Sequence, residues 1–380
     1  MTERVIYLDY NASSPVLPEA KQGFDKSISL YGNPSSIHNS GRLARNIIER
    51  SRMDIATRLR SNPEEIMFTS GGTESNNTVF MVIKKMFKSI SKPHILVSAI
   101  EHPSVREPAK SLLEEGWDVE WIPVTRDGIV NLNDLNSLIR DETIFISVQW
   151  VNNETGVIQP VDEISQIAQE KKILFHTDAV QSGGKLSLDL NKTRVDFLTM
   201  SAHKFGGVKG TGLLYVRQGI LIEPIILGGA QEWRRRAGTE NVPGIVAMAS
   251  AFSWYDSHRN EIDKQHREFS SILLDGLKDF SPILNGSHNK RLSSTLNIIF
   301  PGIIGHELVM IMDTENVQIS SGSACASVRV EPSPVLLAMG RTVDEAQHSV
   351  RISMGHSTDI DDIKTALIRF KVVLNRLLKG

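Results

Sequence analysis

Several polar segments of this chain carry residue types that could capture and activate an amine. Ser201-Ala202-His203-Lys204-Phe205-Gly206-Gly207 puts a lysine directly after the strand-like run at 195–200. A lysine in a partly dry, polar-lined pocket loses charge and can form a Schiff base, with Ser201 and His203 beside it as phosphate donors. His176-Thr177-Asp178-Ala179-Val180-Gln181 ends the apolar run at 173–175. Asp178 could hold a pyridine nitrogen protonated or cap a helix, and the segment alone serves both readings. Ser70-Gly71-Gly72-Thr73 follows the apolar run at 66–68. Glycines there admit an anion close to the backbone, and a helix opening at that point would aim free N–H groups at a phosphate, although a plain turn has the same composition. Glu101-His102-Pro103-Ser104 follows a strand at 95–99, where an imidazole can stack on a flat ring and move protons near neutrality. Asn152-Asn153-Glu154-Thr155-Gly156 offers amides to a ring hydroxyl or a substrate. Singly, each segment has an ordinary explanation; together, five strand ends meet the needs of one phosphorylated aldehyde cofactor, pyridoxal 5'-phosphate.

The second chemical feature is a lone cysteine. One cysteine in 380 residues excludes an intramolecular disulfide and an all-cysteine metal cage. A free cysteine is ordinarily a buried core residue. Here Ser320-Ser321-Gly322-Ser323-Ala324-Cys325-Ala326-Ser327 surrounds it with small turn-forming residues, a composition that favours a mobile, exposed loop. A thiol with a pKa of about 8.5 is only slightly ionised at neutral pH, so a nucleophilic role requires activation by His102 or by the substrate.

The elements that must position these residues alternate. Between residues 60 and 220, β-branched runs at 95–97, 119–122, 144–148 and 173–175 are separated by helical patterns, such as 162–168 behind an acidic first turn. This pattern predicts an α/β architecture with a mostly parallel central sheet flanked by helices, its ligands at the carboxyl ends of strands. Beyond residue 240 the texture changes to a long helix over 243–278, a strand at 296–300, the Ser/Gly-rich loop, and a closing helix over 359–378 with apolar residues at Ile363, Leu367, Phe370, Val373 and Leu377. The expected division is a large cofactor-binding domain over residues 15–256, with 1–14 and 257–380 forming a smaller α+β domain that carries the Cys325 loop.

Composition narrows the class further. With 40% hydrophobic and 23% charged residues, the chain has the make-up of an ordinary globular protein. A net charge of −2 gives no basic surplus for nucleic acid or anionic membrane. Arg234-Arg235-Arg236 is a short basic run inside this neutral chain and weak as a nucleic-acid patch. No apolar run reaches the roughly 18–20 residues needed to span a bilayer, and the first residues lack a signal-peptide pattern, so the expectation is cytoplasmic.

The motifs together resemble the fold-type I pyridoxal-phosphate enzymes, and more narrowly the class I (NifS/IscS-like) cysteine desulfurases of the class-V aminotransferase family. The likeness runs through Leu8-Asp9-Tyr10-Asn11-Ala12, Gly32-Asn33-Pro34-Ser35-Ser36-Ile37-His38, the segment at 68–77, Glu101-His102, residues 151–156, 178–181 and 201–204, Arg235-Arg236-Ala237-Gly238-Thr239-Glu240-Asn241, residues 320–327 and Val350-Arg351-Ile352-Ser353. The resemblance implies that Lys204 forms the Schiff base, His102 stacks on the ring and transfers protons, and Asp178 pairs with the pyridine nitrogen. It implies that Gln181 bonds the ring hydroxyl, that Gly72, Thr73, Ser201 and His203 hold the phosphate, and that Asn153, Asn33 and Arg351 bind the polar groups of the amino acid, Asn153 also contacting the cofactor. Thr239 is implied to reach the phosphate of a neighbouring subunit, hence a homodimer. The activity implied is conversion of L-cysteine to alanine, with the sulfur carried as a Cys325 persulfide to an acceptor such as an iron–sulfur scaffold or a thiolation enzyme. No resident metal is implied, although Cys325 could transiently ligate an iron–sulfur cluster. A selenocysteine lyase, another fold-type I aminotransferase and a non-catalytic sulfur relay are the rival readings. Two departures bear on the acceptor: Pro334 stands where many relatives carry histidine, and with Gly380 soon after the last helix the expectation is that the C-terminal tail by which housekeeping members engage a scaffold is lacking.

Overall fold

The computed structural model describes residues 4–321 and 331–379; Cys325 lies outside the described residues. The chain opens with strand β1 (Ile6–Tyr7) and helices α1 (Pro18–Ser27) and α2 (Asn39–Leu59). Strands and helices then alternate: β2 (Ile66–Thr69), α3 (Gly72–Met86), β3 (His94–Ser98), α4 (Pro103–Glu114), β4 (Asp118–Ile122), α5 (Leu132–Leu138), β5 (Thr143–Ser147), α6 (Val161–Lys171), β6 (Leu174–Asp178), β7 (Phe197–Ser201) and β8 (Gly212–Val216). The remainder comprises α7 (Val242–Leu277), β9 (Ile283–Leu284), β10 (Thr295–Ile299), α8 (Gly305–Thr314), β11 (Val317–Gln318), α9 (Pro334–Ala338), α10 (Val343–Gln347), β12 (Ser349–Ser353) and α11 (Ile360–Lys379).

Seven strands form the central sheet in the order β2-β8-β7-β6-β5-β3-β4. All neighbours are parallel except that β8 runs antiparallel to both β2 and β7. The strands β2, β3, β7 and β8 are buried along their whole length, which is why they read as continuous apolar runs rather than alternating ones. From β3 the chain steps outward to β4, then returns to place β5 on the other side of β3 and continues through β6 to β7. That reversal opens a crevice at the carboxyl ends of β3, β5 and β6. The expected parallel α/β sheet is therefore present. The sequence patterns did not single out β8, a five-residue strand behind Gly206, Gly207 and Gly210. As an antiparallel partner of β7 it needs no crossover helix, so the short β7–β8 connection is free to carry Lys204.

Of the four buried apolar clusters among the described residues, the two largest organise the rest. One joins the sheet to α1, α2 and the first half of α7, through residues such as Leu96, Ile146, Phe175, Leu198, Ile245, Met248 and Phe252. The other gathers Ile6, Leu8, Leu296, Ile298, Val350, Ile352, Phe370 and the second half of α7 at Phe269, Leu273 and Leu277. At 36 residues, α7 is about 54 Å long and reaches both. Over the second cluster lie the antiparallel sheet β12-β10-β9 and the parallel pair β1-β11, with the first residues bridged to β12 at Asp9 and Ser353. The closing helix buries Ile363, Phe370 and Val373 along one stripe, with Leu367 and Leu377 packed at its margin. Among the described residues, no helix is long and apolar enough to cross a membrane.

Candidate active site

Lys204 ends a 3-10 turn, Ala202–Lys204, that leaves the end of β7. Its Nζ donates to the backbone oxygens of Asn11 at 2.7 Å and Ala12 at 2.9 Å, which draws the N-terminal segment across the end of the sheet. Gln181, just past β6, donates from Nε2 to the same Asn11 oxygen at 2.8 Å. Asn11 is almost fully buried and further ties the site together, with Nδ2 donating to the Asn153 oxygen at 3.1 Å and to Thr295 Oγ1 at 3.0 Å. The sequence reading quoted Asn11 inside a motif without assigning it a role; its convergence with residues 170 and 193 positions away is a tertiary fact.

Beside Lys204 lies a cavity of about 470 Å³ lined by Ser13, Gly71, Gly72, Thr73, Ser201, His203 and Lys209, among others. Helix α3 begins at Gly72, so its first-turn N–H groups open into this space with the positive end of the helix dipole. The approach is tight: a Cβ on Gly72 would come within 2.8 Å of Val180 Cγ2, and one on Gly212 within 2.6 Å of the Gly71 Cα. His203 bonds Ser13 Oγ through Nδ1 at 3.2 Å, and its pKa is pushed down to about 4 by burial, reinforced by the charges of Lys204, Lys209 and Lys185. At neutral pH it is an uncharged hydrogen-bonding group. Backbone N–H groups, hydroxyls and Lys209 make this an anion receptor, and the residues present fit the phosphate of pyridoxal phosphate.

His102 lies within electrostatic reach of both Asp178 and Lys204. Asp178 is buried at the end of β6; its Oδ1 accepts from Val180 N at 2.9 Å and its Oδ2 from Asn76 Nδ2 at 2.8 Å. Asn76, fully buried on α3, also donates to Ser104 Oγ at 2.9 Å. It links Asp178 to the His102 turn and was likewise given no role from sequence. His102 is the N-cap of α4, its Nδ1 accepting from Ser104 N at 3.1 Å. That bond leaves the proton of the neutral imidazole on Nε2. Burial lowers the His102 pKa and the charge of Lys204 adds to this, against the opposing pull of Asp178. Glu101, wholly buried, is held well above the usual carboxylate range by burial and then by the charge of Asp178, although Gln149 N donates to its Oε1 at 2.5 Å.

Arg351, buried on β12, reaches the same end of the sheet: Nη2 lies 2.7 Å from Asp9 Oδ1, and Nη1 donates to the Asn153 oxygen at 3.0 Å. Asn153 is therefore placed by its backbone between Arg351 and Asn11, on a turn whose shape comes from Asn152, whose Oδ1 accepts from the N–H groups of Glu154 at 2.9 Å and Thr155 at 2.8 Å. Asn33 is exposed on the α1–α2 loop, where its Oδ1 accepts from Ser35 N at 2.9 Å; its hydrogen bonds described here stay within that loop. Thr239 does not line the Gly72 cavity of its own chain. It borders a separate recess of about 150 Å³ with Thr69, Ser70, Glu232 and Arg236. Of the basic run, Arg236 is paired with Glu74 at 2.9 Å, and Arg235 donates to the Glu64 oxygen at 2.8 Å while lying over the Trp233 ring. The Cys325 assignment falls outside the described residues.

The fold and this arrangement define an enzyme of the pyridoxal-phosphate type, and comparison with known proteins agrees. The model of the aminotransferase class-V family matches residues 6–365. A cysteine desulfurase IscS of Dictyoglomus turgidum is 39% identical over 383 residues, covering 99% of this chain and 96% of that protein. A cysteine desulfurase IscS of Methanosarcina thermophila is 38% identical over 366 residues, 96% of this chain and 90% of that one. Among solved structures, a NifS-like protein superposes with a TM-score of 0.92 at 34% identity, covering 98% of this chain and all of that one. The structure of SspA in complex with cysteine gives 0.82 at 34% identity over 92% of this chain and 98% of that one. The chain belongs to the class-V aminotransferase family, and within it to the pyridoxal-phosphate-dependent cysteine desulfurases.

Proposed function

We propose that this enzyme converts L-cysteine to L-alanine and delivers the sulfur, as a persulfide on Cys325, to an acceptor protein of iron–sulfur cluster assembly or of tRNA or cofactor thiolation. The observation that carries the assignment of roles is the convergence of Lys204 and Gln181 on one Asn11 oxygen, with the anion receptor next to Lys204 and buried Asp178 three residues before Gln181. When bound, pyridoxal phosphate supplies an aldehyde for the substrate amine and a ring that accepts an electron pair from the α-carbon. The residues of the chain do the rest. Gly72, Thr73, Ser201 and His203 grip the phosphate, Asp178 keeps the pyridine nitrogen charged, and Gln181 donates to the ring oxygen. Lys204 Nζ would move the α-proton, and the Nε2–H of His102 would serve as a proton donor. Arg351, with Asn153 and Asn33, holds the substrate's polar groups, the planar guanidinium suiting a carboxylate. The Cys325 thiolate attacks the substrate sulfur as the C–S bond breaks, and the β-carbon keeps the electron pair and gains a proton, becoming the methyl of alanine.

Residues 15–256 and the pair 1–14 with 257–380 serve as the large and small domains of this reading, supported by the two largest apolar clusters, while a small cluster of Ile100 with Val335, Leu336 and Met339 joins them. The reading includes a homodimer in which Thr239 completes the neighbouring phosphate site. Its separation from the Gly72 cavity of its own chain and the nearly full exposure of Tyr31, Ile37, Leu221 and Leu227 support that arrangement. Cys325→Ser tests the chemistry: the loaded variant should keep the visible absorption of the wild type yet release no sulfide from cysteine. Retained sulfide release would remove Cys325 from the reaction. In parallel, labelled sulfur on Cys325 followed by mass spectrometry identifies the acceptor.

A further inference from the structure

A second lysine stands behind the site. Lys185 closes the turn that follows β6, and its Nζ lies 3.0 Å from Gln181 Oε1 and 3.5 Å from Asn11 Oδ1. The residue keeps some surface, and its ammonium end packs against the buried side chains of Gln181 and Asn11. The amide of Gln181 is therefore held at both ends. The Asn11 carbonyl can only accept, so the Gln181 atom facing it must be the NH2; the oxygen then faces Lys185 Nζ, which can donate whether charged or neutral. The two partners fix one orientation of the amide, and in that orientation the Gln181 NH2 and the Lys204 Nζ flank a single oxygen. The hydroxyl of pyridoxal is ortho to its aldehyde. Were pyridoxal held at Lys204, that hydroxyl would lie beside the aldehyde, and the Gln181 NH2 would be the group to hold the ring oxygen.

We propose that Lys185 is a positioning residue for the cofactor: by holding Gln181 Oε1 it prevents the amide from turning over and keeps an N–H donor aimed at the ring oxygen. The inference rests on the reading of Lys204 and Gln181 given above. A lysine in this place is also compatible with the crowding of positive charge. Burial first, and then the charges of Lys204 and Arg351, lower its pKa to about 7, so it remains a donor without imposing a full second cation on Lys204. The other titratable groups around the adjoining recess come from α7, where His266, itself pushed down to about 4 chiefly by burial, stands with Tyr255, Arg259 and Asp263; Ser293 and Ser294 complete its polar lining.

A donor to the ring oxygen withdraws electron density from the group protonated beside it, so its loss makes that group hold its proton to higher pH. In Lys185→Met loaded with pyridoxal phosphate, the pH midpoint of the visible absorption change should rise by about 0.5–1 pH unit, the effect of one hydrogen bond on a proton equilibrium. Gln181→Leu should move it in the same direction, and Lys185→Met added to Gln181→Leu should shift it by less than about 0.2 unit further, because the lysine acts through the amide. A midpoint unchanged in Lys185→Met overturns the proposal, as does an equal shift with and without Gln181. If the methionine variant does not fold, Lys185→Gln, uncharged but able to donate, should stay near the wild-type midpoint; a rise equal to that of Gln181→Leu overturns the proposal. Failure of the wild type to develop a visible band with pyridoxal phosphate would instead refute the cofactor reading on which it rests.

Discussion

Arg351 offers the sharpest separation of substrate binding from cofactor binding. Its guanidinium is buried on β12, 2.7 Å from Asp9 Oδ1 and 3.0 Å from the Asn153 oxygen, and it is absent from the lining of the phosphate cavity. Charge-assisted hydrogen bonds contribute about 1.5–3 kcal/mol each, and a substrate carboxylate on the fork would make up to two. Arg351→Met removes them; the released Asp9, whose side chain is 20% exposed, recovers part of its hydration, so the fold survives with a reduced melting temperature. A loss of about 3 kcal/mol corresponds to roughly 150-fold in kcat/KM for cysteine, carried mainly by KM. Arg351→Lys keeps the charge but not the fork and should lose roughly tenfold. The assays are steady-state alanine release and absorbance titration with pyridoxal phosphate, whose Kd should move less than about threefold. If folded Arg351→Met retains the wild-type KM, the carboxylate is bound elsewhere; if cofactor affinity falls in step with KM, Arg351 serves the cofactor site.

Two further outcomes test the scaffold. Gly72→Ala sets a methyl 2.8 Å from Val180 Cγ2, an overpacking worth about 1–3 kcal/mol, so the Kd for pyridoxal phosphate should rise roughly 5- to 150-fold; adding Val180→Ala should restore most of it, and an unaltered Kd would show that the cradle yields without cost. His176, enclosed between Ser147 and Thr199, has its pKa pushed down to about 3 by burial, against about 6.5 in the unfolded chain. Between those values the unfolded state binds the extra proton, so this contribution to stability is complete above pH 6.5 and is lost on acidification at up to about 1.4 kcal/mol per pH unit. Urea unfolding of His176→Gln from pH 7 to pH 4 should give a shallower decline than the wild type, and equal slopes would refute the assignment.

How much was legible in advance differs between the frame and the site. Continuous apolar runs disclosed β2, β3, β5, β6 and β7 because strands covered on both faces carry no polar alternation. The helical period disclosed α6, α7 and α11. Strand β8 was not singled out although Leu213-Leu214-Tyr215-Val216 is as apolar as the others; its antiparallel place is set by pairing with β2 and β7, which no local pattern shows. Lys204, Asp178 and His102 were recognisable because ionisable side chains directly after strands are chemically conspicuous.

The sequence by itself determined the residue types available for the proposed chemistry and the strand ends that carry them, since both are local properties of composition and spacing. Only the tertiary structure decided how those ends meet. Asn11 draws Lys204, Gln181 and Asn153 to one residue, Asn76 ties Asp178 to the His102 turn, and Lys185 sets the Gln181 amide. An asparagine at a chain position far from its partners gives no local sign of such a role, because a hydrogen bond depends on distance in space and orientation of the amide, and both exist only after the sheet has closed against the N-terminal segment.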